Sequence, residues 1–456
     1  MAVTRSRGAK RAHRLASITK QMSNLLDVMA ILDALDELEA SDALDAEDTL
    51  EALEALEVLE VLEKLEKLDA PSNRSRSTLV VRERRPFATY IKPMLQDLTF
   101  STRFRMDHDD FMILVDLLRP ALQKNEKMGL LRNGAIPVEY QVAMTLRWLA
   151  GGSIYECMDG HVIARSTAYH VASTVISALN ACPELNCKWP EVDDAARAAE
   201  LFRNGSSLGI IRKCVGAMDG LFIRMVKPNA KDTAEPNSNY NGHKKGFGMN
   251  FQAISDAQYR IIAWTMNCPG SQNDRTAFNC SGFQKLVADL PEGHFIVGDA
   301  AYPASDRVVV PFPGTSLSDS QDTCNYYVSQ CRMAIEQTFG ILVRRWGILW
   351  HPMEVGLEKF VNVVNAVVRL HNFCRDRQVD VPKENVGSAV PPPEVSFDED
   401  GLISSDYFET VPVRAGRPVK DQAKVSKPRE TIRKELEVAG FARPEHNVAR
   451  NRKRAS

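Results

Sequence analysis

Long apolar runs are what this chain most plainly lacks: nowhere in its 456 residues do 18 apolar residues follow one another, the length a helix needs to cross a membrane. The opening MAVTRSRGAKRAHRLASITK likewise has no apolar stretch of the secretory-signal kind. Neither membrane insertion nor secretion is expected. A cysteine framework is missing too. The nine cysteines are odd in number and contain no C-x-x-C pair, which suits neither paired bridges nor a zinc site. They read as reduced, mostly buried thiols. Even net charge is nearly absent, at -2.

That small value hides a division. Residues 31–69 hold fifteen Asp or Glu against Lys64 and Lys67, and setting them aside leaves 55 basic and 44 acidic residues, a balance of +11. Such a remainder suits a protein that meets a polyanion. Arg5, Arg7, Lys10, Arg11 and Arg14 near one end and Arg450, Arg452, Lys453 and Arg454 near the other are its most basic parts. Nuclear-import signals, phosphate contacts and solvated tails all have this composition.

The acidic stretch contains Leu50, Leu53, Leu56, Leu59, Leu62, Leu65 and Leu68 at a strict period of three. A coiled coil needs about 3.5, so these leucines drift roughly 60° around a helix at each step. The tract is a low-complexity expansion and not a zipper. Residues 71–77 then form a basic linker. The full chain is 44% hydrophobic, enough for a sizeable core in one large domain or two.

Helical spacing of apolar residues starts near residue 104, runs through 111–118 and returns through 138–149, where Gly151 and Gly152 stop it. Two shorter segments follow, the second opening at Ser166 and Thr167 with Val171, Val175, Ile176 and Leu179 on one stripe. Short helices joined by a tight turn suit a helix-turn-helix, which would expose Arg165, Thr167, Tyr169 and His170 at the start of its last helix. A small helical bundle has the same pattern. Arg165, Thr167 and His170 are the candidate DNA contacts.

Beyond Cys214 the texture changes to strands. Residues 215–226, 247–255 and 258–266 read as three consecutive antiparallel strands, with Asp256 and Ala257 as the corner between the last two. A helix over 274–290, a strand over 294–297 and helices over 329–346 and 357–374 follow. The chain past Asp376, with Pro391-Pro392-Pro393 and acidic residues at 398–400, is expected to lie mostly outside the core. One helix over 428–438 is expected before Gly440. Four regions result: 1–98 low-complexity and disordered, 99–205 helical and DNA-contacting, 206–376 catalytic, and 377–456 a mostly disordered basic tail.

Three carboxylates stand out. Asp219 interrupts the apolar strand VGAMDGLFIRMV. An Asp-Gly hairpin corner is one reading. Against it, residues 221–226 continue without turn residues and put Asp219 on the face of Leu221, Ile223 and Met225, where an unpaired carboxylate is costly. Asp299 directly follows a buried strand in GDAAYP, where mixed α/β sheets present ligands, and a turn aspartate has the same setting. Glu336 sits about 100° around its helix from Ile335, beside the stripe of Ile335, Phe339, Leu342, Val343 and Trp346. Alone it reads as a solvated helix residue, with Arg332 and Arg344 on its side. Taken in order, first strand, later strand, then helix, the three match the frame in which a ribonuclease-H-like core gathers its carboxylates.

Together GAMDG (216–220), GDAAYP (298–303), IEQTFG (335–340) and LHN (370–372) resemble the DDE blocks of PIF/Harbinger transposases and the Harbinger transposase-derived nuclease. The likeness spans roughly residues 100–375 and includes Pro269-Gly270-Ser271. It implies an α/β fold with a ribonuclease-H-like mixed sheet and flanking helices, and Asp219, Asp299 and Glu336 as the catalytic and metal-binding triad. DNA as substrate, a nuclear location, the cytoplasm when a partner is lacking, and a Myb-like accessory protein are implied as well. Family members carry a His-Asp pair after Pro-Gly-Ser. Here it is Asn273-Asp274, and Asp274 is assigned to the N-cap of the next helix.

Phosphodiester cleavage explains the residue types. It needs an activated water and relief of negative charge, which two divalent ions about 4 Å apart supply, and Mg²⁺ or Mn²⁺ take oxygen ligands. Two carboxylates about 4 Å apart repel by roughly 4 kcal/mol at an effective dielectric near 20, so a cation is expected beside them. His243, Lys244 and Lys245 lead into the second strand and are either DNA-backbone contacts or a solvated basic turn. The reading is a metal-dependent DNA endonuclease or transposase of Harbinger type. Its alternatives are a transposase-descended protein that binds DNA without cutting, and an interaction protein built on the Leu-Glu tract.

Because the period-three leucines form no steady seam, deleting residues 31–69 should leave melting temperature and nuclease activity nearly unchanged. Comparing the truncated and full chains tests this, and a loss of several degrees would show that the tract is packed.

Overall fold

A computed structural model describes residues 86–123, 135–161, 163–206, 209–314, 316–379 and 426–444, all within one unit spanning Val81–Ser456. The basic ends, the Leu-Glu tract, the linker after it and most of the tail past residue 379 lie outside the described residues. No described helix is long and apolar enough to cross a membrane.

The first part is helical: α1 (Phe87–Gln96), α2 (Phe100–Phe104), α3 (His108–Leu122), α4 (Val138–Leu149), α5 (Ile154–His161) and α6 (Arg165–Ala181). Asp107 starts α3 by accepting from Asp110 N at 2.8 Å, which satisfies one of the orphan donors of a helix start. Phe87, Phe100 and Phe104 close around Phe111 with ring centroids 5.5 to 5.8 Å away. As its stripe implies, α6 buries Val171, Val175, Ile176 and Leu179.

After α7 (Ala195–Gly205) comes the sheet: β1 (Cys214–Arg224), β2 (Tyr240–Asn241), β3 (Gly246–Ser255), β4 (Ile261–Pro269), β5 (Phe295–Val297) and β6 (Val308–Val309). Its main order is β4-β3-β1-β5-β6, with β2 on the end of β3. β1 is central. It runs antiparallel to β3, from Ala217↔Ser255 to Arg224↔Gly248, and parallel to β5, where pairing stops at Ala217↔Val297. The mixed, helix-flanked sheet is the expected fold class, and β6 is a parallel edge strand too short for its sequence to announce.

Several boundaries differ from the sequence reading. The third strand starts at Ile261 rather than 258 because Asp256 accepts from the backbone N–H of Gln258 and Arg260, at 2.8 and 2.9 Å, and holds a wider turn. The helix expected over 274–290 is two, α8 (Asp274–Ser281) and α9 (Phe283–Ala288), broken where Gly282 takes a φ of 79°. The helix expected to start at 329 starts ten residues earlier. This is α10 (Asp319–Arg345), opened by a capping box between Ser318 and Gln321.

Helices cover both faces of the sheet. On one, Phe339 and Leu342 of α10 pack with Ala217, Phe251 and Ala253, the rings of Phe251 and Phe339 lying 6.0 Å apart. On the other, Phe278 of α8 and Phe283 of α9 meet Met218, Ile254 and Ile296. Behind α10 lies α11 (Leu357–Asp376). Its His371 Nε2 donates to Tyr259 O at 2.7 Å, and Asn372 both accepts from Ile261 N and donates to Ile261 O, at 2.9 and 2.8 Å. Burial pushes His371 down to about 3, so it stays neutral and structural. At the end of α10, Arg345 donates to Arg105 O and Val379 O, both at 2.7 Å, which ties the helical part to the sheet part.

Although the chain past Asp376 was expected mostly outside the core, it returns in α12 (Lys427–Val438). There Ile432 and Leu436 are buried, Arg429 stacks over Phe312 at 4.2 Å and Arg443 bonds Asp322 of α10 at 2.8 Å. Leu436→Ala should therefore cost about 2 kcal/mol or more of unfolding free energy, read from urea denaturation. A change below the measurement error would mean that α12 does not dock.

Candidate active site

Asp219 lies on β1 two residues past the last parallel pair with β5, and Asp299 two residues past the end of β5 itself. Both therefore stand in the crevice at the carboxyl ends of parallel strands. On β1 the alternation of faces puts Asp219 with Leu221 and Ile223, toward α10. Glu336 and Arg332, one turn apart on α10, meet it there. Arg332 forms an ion pair with Glu336 and its Nη1 lies 3.8 Å from Asp219 Oδ2.

All these side chains are partly buried. Asp219 retains 21% of its side-chain exposure and Glu336 17%. Burial, followed by the charge of Asp299, pushes Asp219 up to about 8, with Arg332 and the Gly220 N–H pulling the other way. Burial and then Asp274 raise Asp299, against the backbone N–H of Ala301 and Arg332. Gly220 N donates to Asp219 Oδ1 at 2.7 Å and Ala301 N to Asp299 Oδ1 at 2.9 Å, so both carboxylates are aimed by backbone. Arg332 is itself held above its ordinary value: burial works against its charge, and Glu336, Asp219 and Asp299 outweigh that. Arg332 thus supplies positive charge beside Asp219 from within the chain, where the sequence reading expected a metal ion.

The residue assigned to the helix cap is in a different place. Asn273 caps α8, accepting from Thr276 N at 2.9 Å. This leaves Asp274 at the first helical position, turned to the sheet, where its Oδ1 accepts from Gln252 Nε2 at 2.9 Å and Asn250 Nδ2 at 3.1 Å. The signal was available. Asn caps as well as Asp, and in Asn273-Asp274 the first residue sufficed.

The donor set is made of carboxylate oxygens, the kind that Mg²⁺ and Mn²⁺ take. Among the described residues no group of three His, Cys, Asp or Glu side chains is arranged to enclose a metal ion. In this cluster Arg332 lies between Glu336 and Asp219.

The candidate DNA contacts stand elsewhere. Arg165 opens α6, exposed, with its guanidinium over the rings of Tyr155 at 5.1 Å and Tyr169 at 5.8 Å. Thr167 is half-buried and His170 exposed. Lys244 and Lys245 lie in the turn between β2 and β3, where Asn241 Oδ1 accepts from His243 N and Lys244 N at 3.0 Å and Lys245 takes a φ of 47°. Asp219 pairs with Ala253, so the turn lies roughly 25 Å along the sheet from it, at about 3.3 Å per residue.

If Arg332 offsets the crowded carboxylates, Arg332→Gln should lower the metal-free melting temperature by several degrees, measured by scanning calorimetry in chelator. Adding Asp219→Asn should recover part of the loss. A single variant that melts with the parent would show that the guanidinium contributes nothing.

Residues 218–372 match a family described as DDE superfamily endonuclease. The Arabidopsis thaliana protein ALP1-like is 24% identical over 300 residues, covering 61% of this chain and 71% of the relative. No solved structure matches the chain. Asp219, Asp274, Asp299 and Glu336 all fall within the matched span, so the part of the chain that builds the crevice is the part similar to DDE superfamily endonucleases.

Proposed function

We propose that this chain is a metal-dependent DNA endonuclease of Harbinger type that hydrolyses phosphodiester bonds with Asp219, Asp299 and Glu336. One observation carries the reading: within the matched span, the carboxylates of β1, the β5 end and α10 gather around one crevice at the carboxyl ends of parallel strands. When bound, two divalent ions would supply an activated water and charge relief at the phosphoryl oxygens. The chain's own contribution is positional. Gly220 N and Ala301 N orient the two aspartates, and Glu336 projects from a helix packed on β1 and β3. Arg332 adds a guanidinium whose fork suits a phosphate.

Arg165, Thr167 and His170 on α6 and Lys244 and Lys245 on the far hairpin would hold the DNA backbone away from the point of cleavage, the salt-sensitive part of binding. On the same reading the protein works in the nucleus, with a Myb-like partner. The non-cutting DNA binder is the second reading. It is favoured by Arg332, which supplies from within the chain the positive charge that a metal would bring.

Asp219→Asn, Asp299→Asn and Glu336→Gln keep size and remove charge. Each should lower Mg²⁺- or Mn²⁺-dependent cleavage by orders of magnitude, with non-additive losses in the double variants, while DNA binding persists. Cleavage and gel-shift assays on the full chain decide. Uncut DNA with the parent under every divalent ion would favour the binder, and intact cutting by the three variants would overturn the triad.

A further inference from the structure

Arg105 closes α2 and is buried to 2% exposure. Its φ of 68° is left-handed, a conformation that a residue other than glycine adopts at a cost. Two backbone bonds keep it there: Arg105 N donates to Ser101 O and Arg105 O accepts from Arg345 Nη1, both at 2.7 Å. Its side chain reaches the end of α4, where Nη2 donates to Ala150 O at 3.2 Å. A Cβ at Gly347, just past α10, would come 2.5 Å from that same carbonyl oxygen. The ends of α2, α4 and α10 therefore meet around this guanidinium.

The bond to Ala150 uses one of the five N–H groups that a guanidinium carries. Nε and Nη1 of Arg105 are enclosed and find no acceptor among the described residues. The charge is unanswered as well. Burial, then the charges of Arg147, Arg345 and Arg344, push Arg105 down to about 10, so it stays a cation at neutral pH. Glu156 is the carboxylate ion-paired within this group, and its two oxygens accept from Nε and Nη2 of Arg147 at 2.9 Å.

Helix carboxyl ends attract cations, and Ala150 O accounts for one N–H on that ground. It does not account for the others, because an enclosed donor without an acceptor is destabilising and a buried charge without a counter-charge more so. A water would answer the donors and leave the charge. An oxyanion answers both, with several acceptor atoms on one compact centre.

We propose that Arg105, with Arg147, Arg344 and Arg345 around it, holds a small tetrahedral oxyanion of the phosphate class at the junction of α2, α4 and α10. A guanidinium is the side chain best matched to such a group. Since α10 carries Glu336 and Arg332, the anion ties the far end of that helix to the helical part of the chain. At 2% exposure Arg105 is out of reach of a duplex backbone, so the source is free phosphate and not DNA. The inference is independent of the nuclease reading.

Scanning calorimetry of the full chain, in chloride and in phosphate at equal ionic strength, tests it. About 10 mM phosphate should raise the melting temperature of the parent by several degrees, with a dose dependence that saturates, as for a ligand of the native state. Equilibrium dialysis with radiolabelled phosphate should show a tightly held ion that Arg105→Gln loses. The same variant should melt in chloride no lower than the parent, having shed an unanswered charge, and its melting temperature should not respond to phosphate. If Arg105→Gln does not fold, Arg105→Lys takes its place and should need about tenfold more phosphate for the same rise. No rise in the parent overturns the proposal. So does a parent-like rise in the variant that folds, which is what general salt stabilisation or phosphate on the basic ends would give. A short DNA duplex that protects the parent but not the variant would overturn the free ion as the source.

Discussion

Arg332 makes the contact on which the site depends. Carboxylates brought within about 4 Å of one another repel by roughly 4 kcal/mol per pair at an effective dielectric near 20, a large fraction of the ~5–15 kcal/mol that keeps a domain folded. The crevice gathers Asp219, Asp299, Glu336 and, behind Gly220, Asp274. The guanidinium of Arg332, one turn from Glu336 on the same helix, answers part of that repulsion from inside the fold. A metal binding between Asp219 and Glu336 would meet an ion pair already in place.

Everything around this contact serves to aim it. The change in strand pairing does most: β1 keeps its antiparallel partner β3 from residue 217 to 224 but loses its parallel partner β5 at 217. Past that point, among the described residues, this edge of β1 has no strand partner until Met353 bridges it at Arg224 and Val226, and the crevice opens where Asp219 and Asp299 emerge. α10 crosses beneath, fixed on the sheet by Phe339 against Phe251 and at its far end by the bonds of Arg345 to two carbonyls. Its first half is gripped by α12. A helix restrained along its length presents Glu336 and Arg332 with little freedom, as a site requires.

The blocks that resemble the transposase family divide physically into two kinds. Asp219, Asp299 and Glu336 face the crevice. The Leu370-His371-Asn372 block does not: His371 is a neutral core residue, and Asn372 locks the first residue of β4. Gly220 belongs to neither kind, because its role is to leave room.

The sequence by itself determined the architecture, since strand and helix periodicities depend on nearest neighbours along one chain. Much of the order of elements was legible, and so was the face of Asp219, whereas α1, α7, β2 and β6 were not announced. Helix ends were read less well: the start of α10 rests on Ser318 and Gln321, polar residues in a stretch without apolar period, and α12 has a composition that says nothing of its docking. The roles of Asp274 and Arg332 were decided only by the tertiary structure. Asp274 carries the right residue type for a cap, and what removed it from that role was the bond of Asn273 to Thr276, together with an empty position on β1 and an oriented amide on β3. Arg332 was read as a neighbour of Glu336, and became the counter-charge of Asp219 only when the sheet and the helix came together. Such charge relations join residues 55 (Asp219 and Asp274) and 113 (Asp219 and Arg332) positions apart, where no local pattern reaches.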